Sequence, residues 1–187
     1  MTSRGTNSKQ QIIETANRLI YMKGYNQTSL ADVADSLGIT KGNLHYHFRS
    51  KEALLDAVIS LRLNIIADLL AQWDTEFTQP KAKLKRFVQM MRNEAADVIQ
   101  FGCPIGSLNT ELGKFQTAMQ LRSREMFELF RQWLEKVFSE LGKKDCRQLG
   151  EHLLSMTQGA ALMSHVYQDK RILEHESRSI ERWIESL

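Results

Sequence analysis

Apolar residues recur every three or four positions along almost the whole chain, which is the spacing of one buried face of an α-helix. The first such run consists of Ile12, Ile13, Ala16, Leu19 and Ile20. Ser8 is expected to cap this first helix, and Gly24 to end it, because glycine readily adopts the left-handed backbone found at helix C-termini. No stretch shows the apolar and polar alternation of a half-buried strand. The pattern therefore predicts an all-α protein.

Capping residues mark where the later helices begin. Ser29 and Thr40 each precede a short apolar repeat, and Ser50 precedes a long one that continues to about residue 73. Pro80 lies near the start of the next helix, where its missing amide is not needed. The remaining helices are predicted over residues 82–100, 104–113, 115–141, 145–168 and 172–186. The chain should therefore contain about nine helices.

The two short helices after Ser29 and Thr40 are joined by the connection Leu37-Gly38-Ile39-Thr40. Two short helices with a glycine turn are typical of a helix-turn-helix, whose second helix enters the major groove of DNA. In that second helix Leu44 and Phe48 are expected to face inward. The residues left facing outward are Thr40, Lys41, Gly42, Asn43, His45 and Tyr46. They suit hydrogen bonding to phosphates and base edges, although an ordinary solvated helix would show the same pattern.

Positive charge is concentrated in the first quarter of the chain. The formal net charge is +3 over 187 residues. Residues 1–50 contain six basic and three acidic side chains, which leaves nineteen of each sign in residues 51–187. A basic end on a neutral body fits a small nucleic-acid-binding unit, because neutralising phosphates provides most non-specific affinity.

The run TSLADVADSLGITKGNLHYHFRSKEALL, residues 28–55, resembles the DNA-binding signature of the TetR/AcrR family of bacterial transcriptional repressors. Its most specific part is GITKGNLHYHFRSKEALL, with a turn glycine, a hydroxyl cap and an aromatic-rich second helix. The resemblance implies a helix-turn-helix DNA-binding domain at residues 1–50. It also implies an effector-binding and dimerisation domain at residues 51–187, in which residues 51–73 are the connecting helix.

The resemblance implies a function as well. The protein would be a homodimeric repressor that binds a palindromic operator in double-stranded DNA and is released by a small-molecule effector, since a twofold dimer matches a palindrome. No catalytic residue, cofactor or metal is implied. Two other interpretations stay open: a helical enzyme with Cys103 as its nucleophile, and a DNA-binding structural or adaptor protein that needs no effector.

The resemblance can be carried over residue by residue. It assigns DNA contacts to Thr28, Thr40, Lys41, Gly42, Asn43, His45, Tyr46, His47 and Lys51. Thr28 and Lys51 are expected on phosphates, and Lys41 is the first choice for base readout because lysine pairs with guanine acceptors. The family most often has tyrosine where this chain has His45. His45 and His47 lie about 200° apart around a helix, so they cannot chelate one metal ion.

The neutral remainder of the chain is expected to dimerise the protein and to bind the effector. The predicted dimer interface consists of Gly159, Leu162, Met163, Val166, Ile180, Trp183 and Ile184. Soft and aromatic side chains in the middle helices suit an adaptable apolar pocket. The predicted effector pocket consists of Phe101, Cys103, Phe115, Met119, Phe127, Phe130 and Met163. The effector would be small and largely apolar, although residues of these types are more often ordinary core.

Cys103 lies in a second family-like segment. FGCPIGSLNTELGK, residues 101–114, resembles the G-C-P-x-G-x-L segment of one branch of these repressors. Pro104 suits the first helical position, which would place Cys103 at the N-cap. The free amides of a helix N-terminus favour negative charge, so Cys103 is a candidate redox or electrophile sensor. The alternative is a buried, inert cysteine.

Cysteine content and hydropathy bear on the location of the protein. The chain has two cysteines, no apolar run of membrane-spanning length and no secretory signal at its start. Few cysteines without a signal are typical of a reducing compartment. The sequence therefore predicts a cytoplasmic protein that does not associate with membranes.

Overall fold

The computed structural model describes the backbone of residues 3–114 and 117–187, and the side chains of residues 9–114 and 118–187. Within these ranges the backbone forms ten α-helices and no strand, which confirms the all-α class. The helices are α1 Ser3–Lys23, α2 Leu30–Leu37, α3 Lys41–His47, α4 Lys51–Glu76, α5 Pro80–Asn93, α6 Ala95–Phe101, α7 Pro104–Leu112, α8 Thr117–Glu140, α9 Cys146–Tyr167 and α10 Lys170–Ser186. No helix in the described ranges is both long and apolar enough to cross a lipid bilayer.

The starts of α2, α3 and α4 follow the caps that the sequence predicts. Ser29 forms a full capping box at the start of α2, and the hydroxyl oxygens of Thr40 and Ser50 each accept a hydrogen bond from the amide three residues later. These bonds satisfy amides that have no partner inside the helix. The start of α1 differs, because α1 begins at Ser3 and Ser8 is already inside it.

One predicted helix is two helices in the structure. The run at residues 82–100 is interrupted at Glu94, where φ is −103° and ψ is 20°. α5 ends just before this residue and α6 begins just after it. The spacing of three and four residues from Met91 to Ala95 and Val98 continues across the break. A one-residue interruption therefore does not change the helical spacing of the apolar residues, and the pattern does not reveal it.

Packing divides the chain into two compact units. The first, which we call the head unit, contains Met1–Asn64 and Ser107–Glu125. The second, which we call the body unit, contains Ile65–Gly106 and Met126–Leu187. α4, α7 and α8 each begin in one unit and end in the other. The head unit is therefore discontinuous in sequence.

The core of the head unit is built by apolar side chains from α1 to α4 and the turn after α1. Its buried members include Ile12, Ala16, Tyr25, Val33, Ala34, Leu44, Phe48, Leu55 and Val58. Burial of the valine, leucine, isoleucine and phenylalanine side chains among them supplies roughly 1.5–3 kcal/mol each and holds the two short helices in place. Leu44 and Phe48 lie inside, which confirms the predicted inward face of α3.

Polar side chains join α8 to α4 within the head unit. The Arg122 guanidinium donates hydrogen bonds to the Asp56 carboxylate and to the Ser60 hydroxyl, both at 3.0 Å. Arg62, also on α4, donates through Nε to the Asn17 side chain of α1 at 2.6 Å. α4 is therefore tied on one side to α1 and on the other to the start of α8.

The body unit has an aromatic core. Trp73 of α4 packs edge-on against Trp133 of α8, with ring centroids 5.6 Å apart. Phe87 of α5 packs against Phe130 of α8 at 5.5 Å. Such edge-to-face pairs add about 0.5–1.5 kcal/mol to the free energy of burial.

A buried lysine lies beside this aromatic core. The Lys83 ammonium is 2.8 Å from the Glu140 carboxylate and 3.1 Å from that of Asp74. Burial opposes its charge, but the hydrogen bonds to Glu140 and Asp74 outweigh burial and raise the pKa of Lys83. For Asp74, burial by itself would raise the pKa. Hydrogen bonds from Lys136 and Lys83 outweigh burial and hold the pKa of Asp74 below its ordinary value. The network therefore stays charged over a wide pH range.

Candidate nucleic-acid interface

The start of α3 presents a short run of exposed polar groups. The Thr40 hydroxyl oxygen accepts a hydrogen bond from the Asn43 amide at 3.2 Å, which fixes the first turn of the helix. Thr40, Lys41, Gly42 and Asn43 are all exposed. The structure thus brings four of the residues assigned to DNA contacts together at one end of a surface helix.

The outer face of α3 continues with two imidazoles and a phenol. Tyr46 is 83% exposed, His45 is exposed and His47 is half-buried. The Tyr46 and His47 rings meet edge-on, with centroids 5.1 Å apart. Each of these side chains carries a group that can donate a hydrogen bond to a phosphate oxygen. In the described part of the chain, no group of three or more histidine, cysteine, aspartate or glutamate residues is arranged to hold a metal ion.

Lys9 adds a positive charge that sequence reasoning did not select. Its ammonium lies 5.6 Å from the centroid of the Phe48 ring, at the C-terminal end of α3. The two residues are far apart in sequence and carry no shared motif, so only the fold reveals that they meet. The charge of Lys9 therefore lies at the C-terminal end of α3.

Thr28 is placed differently from its neighbours. Its side chain is only 3% exposed, and its hydroxyl donates to the Gly24 carbonyl oxygen at 2.8 Å. The hydroxyl therefore stabilises the turn between α1 and α2. In this conformation the Thr28 side chain is not on the surface where a phosphate contact was predicted.

Lys51 also contacts the turn after α1. Its ammonium donates to the Asn26 carbonyl oxygen at 3.2 Å and lies 4.3 Å from the centroid of the Tyr25 ring. Partial burial lowers the pKa of Lys51, although the carboxylates of Glu111, Glu52 and Asp32 act in the opposite direction. Lys51 is half-buried and supports this turn, and its phosphate contact stays a prediction.

Glu111 reaches the same turn from α7. Its two carboxylate oxygens accept hydrogen bonds from the amides of Tyr25 at 2.8 Å and Asn26 at 2.7 Å. The family-like segment indicates a role for Cys103 at its other end but none for Glu111. The separation of 85 residues between Glu111 and Asn26 hides the contact from any local pattern.

The predicted effector residues are not gathered in one cavity of a single unit. Phe101, Cys103 and Phe127 are half-buried in the body unit, where Phe130 belongs to the aromatic core. Met163, also in the body unit, is exposed, and Met119 belongs to the head unit. Phe115 lies outside the described residues. The effector pocket stays a prediction.

Cys103 caps α7 in the way its sequence context indicates. The Gly106 amide donates to the Cys103 Sγ at 3.4 Å, three residues along. The side chain packs against a buried apolar cluster of the body unit, which consists of Met91, Val98, Ala160, Ala161 and Leu173. The thiol is therefore half-buried at a helix N-terminus.

Two depressions in the body unit involve other residues. One of about 350 Å³ is lined by Gln89, Arg92, Asn93, Ala95, Lys170, Leu173 and Glu174. The other, of about 320 Å³, is lined by Lys85, Arg178, Glu181, Arg182 and Glu185. The first is lined by three charged and four uncharged residues, and the second by charged residues. Neither contains a residue of the predicted effector pocket.

α9 carries an exposed apolar face. Leu162 is 60% exposed and Val166 is 62% exposed, with Gly159 and Met163 exposed on the same side of the helix. Tyr167, which the sequence analysis did not select, extends this face. We call Gly159, Leu162, Met163, Val166 and Tyr167 the α9 face. Four of its members are residues of the predicted dimer interface.

The three predicted interface residues of α10 lie elsewhere. Ile180 and Ile184 are buried inside the body unit of a single chain. Trp183 is half-buried, with its ring 6.2 Å from that of Phe138 and 5.3 Å from that of His152. The apolar side of α10 therefore forms intramolecular core, because an amphipathic helix shows the same pattern whether its partner is its own chain or a second copy.

Comparison with known proteins agrees with this architecture. Residues 12–58 match the model of the bacterial regulatory proteins of the tetR family, and residues 80–179 match the transcriptional regulator LmrA/YxaF-like C-terminal domain. An HTH-type transcriptional regulator in the lacX 3′ region of Lactococcus lactis subsp. lactis is 31% identical, over 90% of this chain and 88% of that protein. The HTH-type transcriptional regulator YxaF of Bacillus subtilis (strain 168) is 27% identical, over 91% of each chain.

A solved structure of a transcriptional regulator has a similar fold. The crystal structure of a TetR transcriptional regulator from Legionella pneumophila superposes with a TM-score of 0.86 at 28% identity, over 97% of this chain and 98% of that one. All three are described as transcriptional regulators. The chain therefore belongs to the TetR family of bacterial transcriptional regulators, with a helix-turn-helix head and an LmrA/YxaF-like C-terminal domain.

Proposed function

We propose that this regulator is a repressor that binds a palindromic operator as a homodimer and is released by a small, largely apolar or electrophilic effector. The observation that carries the proposal is the exposed polar face of α3, which begins at the Thr40 cap and continues to Tyr46. A recognition helix meets base edges with its N-terminal residues. The N-terminal residues of α3 and its cap, from Thr40 to Asn43, are exposed. The apolar side of α3 is buried in the head unit.

The contacts divide by their position on the helix. Lys41 and Asn43, at the first turn of α3, are assigned to base edges, together with Thr40 and Gly42. Tyr46 and the two histidines, further along, are assigned to the phosphate backbone. Lys51 is assigned to a phosphate as well, since its ammonium has further hydrogens besides the one donated to the Asn26 carbonyl oxygen.

The α9 face is assigned to the dimer contact. Single exposed apolar residues are ordinary, but a contiguous set on one helix face marks an interaction site. Gly159 within it permits close approach of a second helix. A second copy packed there through a twofold axis would present two α3 helices to one palindrome.

The effector is assigned to the body unit. We also assign the chain to the branch of the family that carries G-C-P-x-G-x-L, which it matches at residues 102–108. The Cys103 thiol caps α7 and packs against apolar side chains, so an apolar or thiol-reactive compound suits this environment. Phe101 and Phe127 contribute half-buried aromatic surface in the same unit.

The test is selection of DNA from a random pool of duplexes by the purified full-length protein. We expect the enriched sequences to share a palindrome whose half-sites lie about one helical turn, or a multiple of it, apart. Affinity should fall steeply as salt concentration rises, because phosphate contacts release counterions. Enrichment of no sequence at low salt, or of sequences without symmetry, would contradict the proposal.

A further inference from the structure

The turn between α1 and α2 is held by a carboxylate from a distant part of the chain. Each oxygen of Glu111 accepts one backbone amide hydrogen, from Tyr25 at 2.8 Å and from Asn26 at 2.7 Å. A hydrogen bond to a charged acceptor is about twice as strong as a neutral one. Two such bonds on successive amides fix both the position and the direction of this backbone.

The turn is shaped to admit the carboxylate. Gly24 has φ of +88°, a left-handed conformation that favours glycine. A Cβ atom at Gly24 would lie only 3.1 Å from one Glu111 oxygen, so a larger residue would press on the carboxylate. The residue that ends α1 therefore also leaves room for Glu111.

A cation supports the same residues. The Lys51 ammonium donates to the Asn26 carbonyl oxygen and lies against the Tyr25 ring. Tyr25 and Asn26 are thus contacted by the carboxylate of Glu111 from α7 and by the ammonium of Lys51 from α4. All four residues belong to the head unit. The turn leads directly to Ser29, the cap of α2, and α2 leads to α3.

We propose that Glu111 is a positioning residue for DNA recognition, which fixes the direction in which α2 and α3 leave α1 by closing the turn at Tyr25 and Asn26. Glu111 acts through this turn and does not itself touch DNA. The inference rests on the proposed binding of DNA by α3. The family-like segment at residues 101–114 then has a role for its C-terminal half. In the sequence, only Cys103, near its N-terminal end, was a candidate site.

The direction in which DNA affinity changes distinguishes a positioning role of Glu111 from a purely electrostatic effect of its charge. Removing an acidic charge from a DNA-binding unit should, by electrostatics alone, strengthen its attraction to phosphates. Loss of a positioning residue should weaken binding instead. The variant Glu111→Gln removes the charge and keeps the size, and its single amide oxygen can accept only part of what the carboxylate accepts.

The experiment compares Glu111→Gln with the wild type in the full-length protein. We expect amide hydrogen exchange at Tyr25 and Asn26 to become about tenfold faster, while amides of α9 and α10 keep their rates. We expect the Kd for the duplex enriched by the wild type to rise about tenfold. Glu111→Asp keeps the charge on a shorter side chain and should recover part of the affinity.

The matched control is Glu135→Gln, which makes the same chemical change at a carboxylate that pairs with Arg131 in the body unit. It should leave both measurements unchanged. Unchanged exchange at Tyr25 and Asn26, unchanged or tighter DNA binding by Glu111→Gln, or faster exchange throughout both units would each overturn the proposal. A wild type that enriches no duplex is a separate result, because it contradicts the proposed function before any variant is compared.

Discussion

Lys41 is exposed at the first position of α3, where a recognition helix meets base edges. We expect Lys41→Ala to reduce the preference for one base pair of the operator by about 1–3 kcal/mol, because a lysine contact to guanine acceptors is lost. Competition between the enriched duplex and its single-base variants measures this. Lys144→Ala, at an exposed lysine between α8 and α9, removes the same charge and should leave base preference intact.

If Lys41→Ala instead weakened binding equally for every sequence and reduced the salt dependence, Lys41 would be a phosphate contact. Base readout would then be assigned to Asn43, the other exposed side chain in the first turn of α3 with base-pairing capacity.

Cys103 allows a second test on a single side chain. If the effector is electrophilic, treatment with N-ethylmaleimide should release the wild type from the enriched duplex, because alkylation enlarges a half-buried thiol that caps α7. Cys103→Ser, which retains a capping oxygen, should bind DNA and resist release. Cys146→Ser is the control and should behave as the wild type. A gel-shift assay measures the release. If both variants were released equally, Cys103 would be excluded as the sensor.

Local chemistry decides which single residues can be recognised from sequence. The caps at Ser29, Thr40 and Ser50 are readable because a cap joins residues three positions apart. Glu111 is not readable, because its partners lie 85 and 86 residues away. Thr28 resembles a surface hydroxyl, yet its hydrogen bond to a backbone carbonyl four residues earlier allows it to be buried.

At the scale of helices, amphipathic spacing predicts that a helix exists but not what covers its apolar side. The pattern gives nearly all the helices, but it misses the break between α5 and α6 and the start of α1 at Ser3. On α10, Ile180 and Ile184 face the chain's own core, while on α9 Leu162 and Val166 are exposed. Both sets have helical spacing, so the distinction depends on tertiary packing.

The Lys83 network joins α4, α5 and α8 and gives a pH-dependent prediction. The pKa of Asp74 is lowered, so its contribution to stability is present above about pH 4, the ordinary aspartate range, and is lost as the pH falls further. The pKa of Lys83 is raised, so its contribution is present below about pH 10.4 and is lost as the pH rises through the higher folded value. The network should therefore stabilise the fold between these limits.

We expect Lys83→Met to lower the free energy of unfolding by about 1–3 kcal/mol at pH 7, because the carboxylates of Asp74 and Glu140 each lose a charged hydrogen-bond donor. The difference from the wild type should shrink as the pH falls below about 4 and through the lowered pKa of Asp74. Urea unfolding at pH 7 and pH 3 measures both values. Lys136→Met removes a more exposed ammonium from the same carboxylates and should cost less than about 1 kcal/mol. A difference independent of pH would show that the loss comes from packing alone.

At the scale of the whole molecule, the oligomeric state depends on the α9 face. We expect Leu162→Asp combined with Val166→Asp to convert a dimer into a folded monomer, because burying an unpaired carboxylate in an apolar contact is costly. Sedimentation velocity measures the mass, and circular dichroism checks that the helices persist. Leu121→Asp, at another exposed leucine, is the control and should remain dimeric. A double variant that stays dimeric would place the contact on another surface.

Residues 107–125 belong to the same compact unit as the first 64 residues, and this limits how DNA specificity can be transplanted between relatives. A hybrid joined after Asn64 would keep the donor's turn at Tyr25 and Asn26 but take the acceptor's residue at position 111. It would likewise separate Asp56 and Ser60 from their donor Arg122. Recombination that exchanges both stretches keeps these partners matched, so functional hybrids should come from a two-segment exchange and seldom from a single crossover.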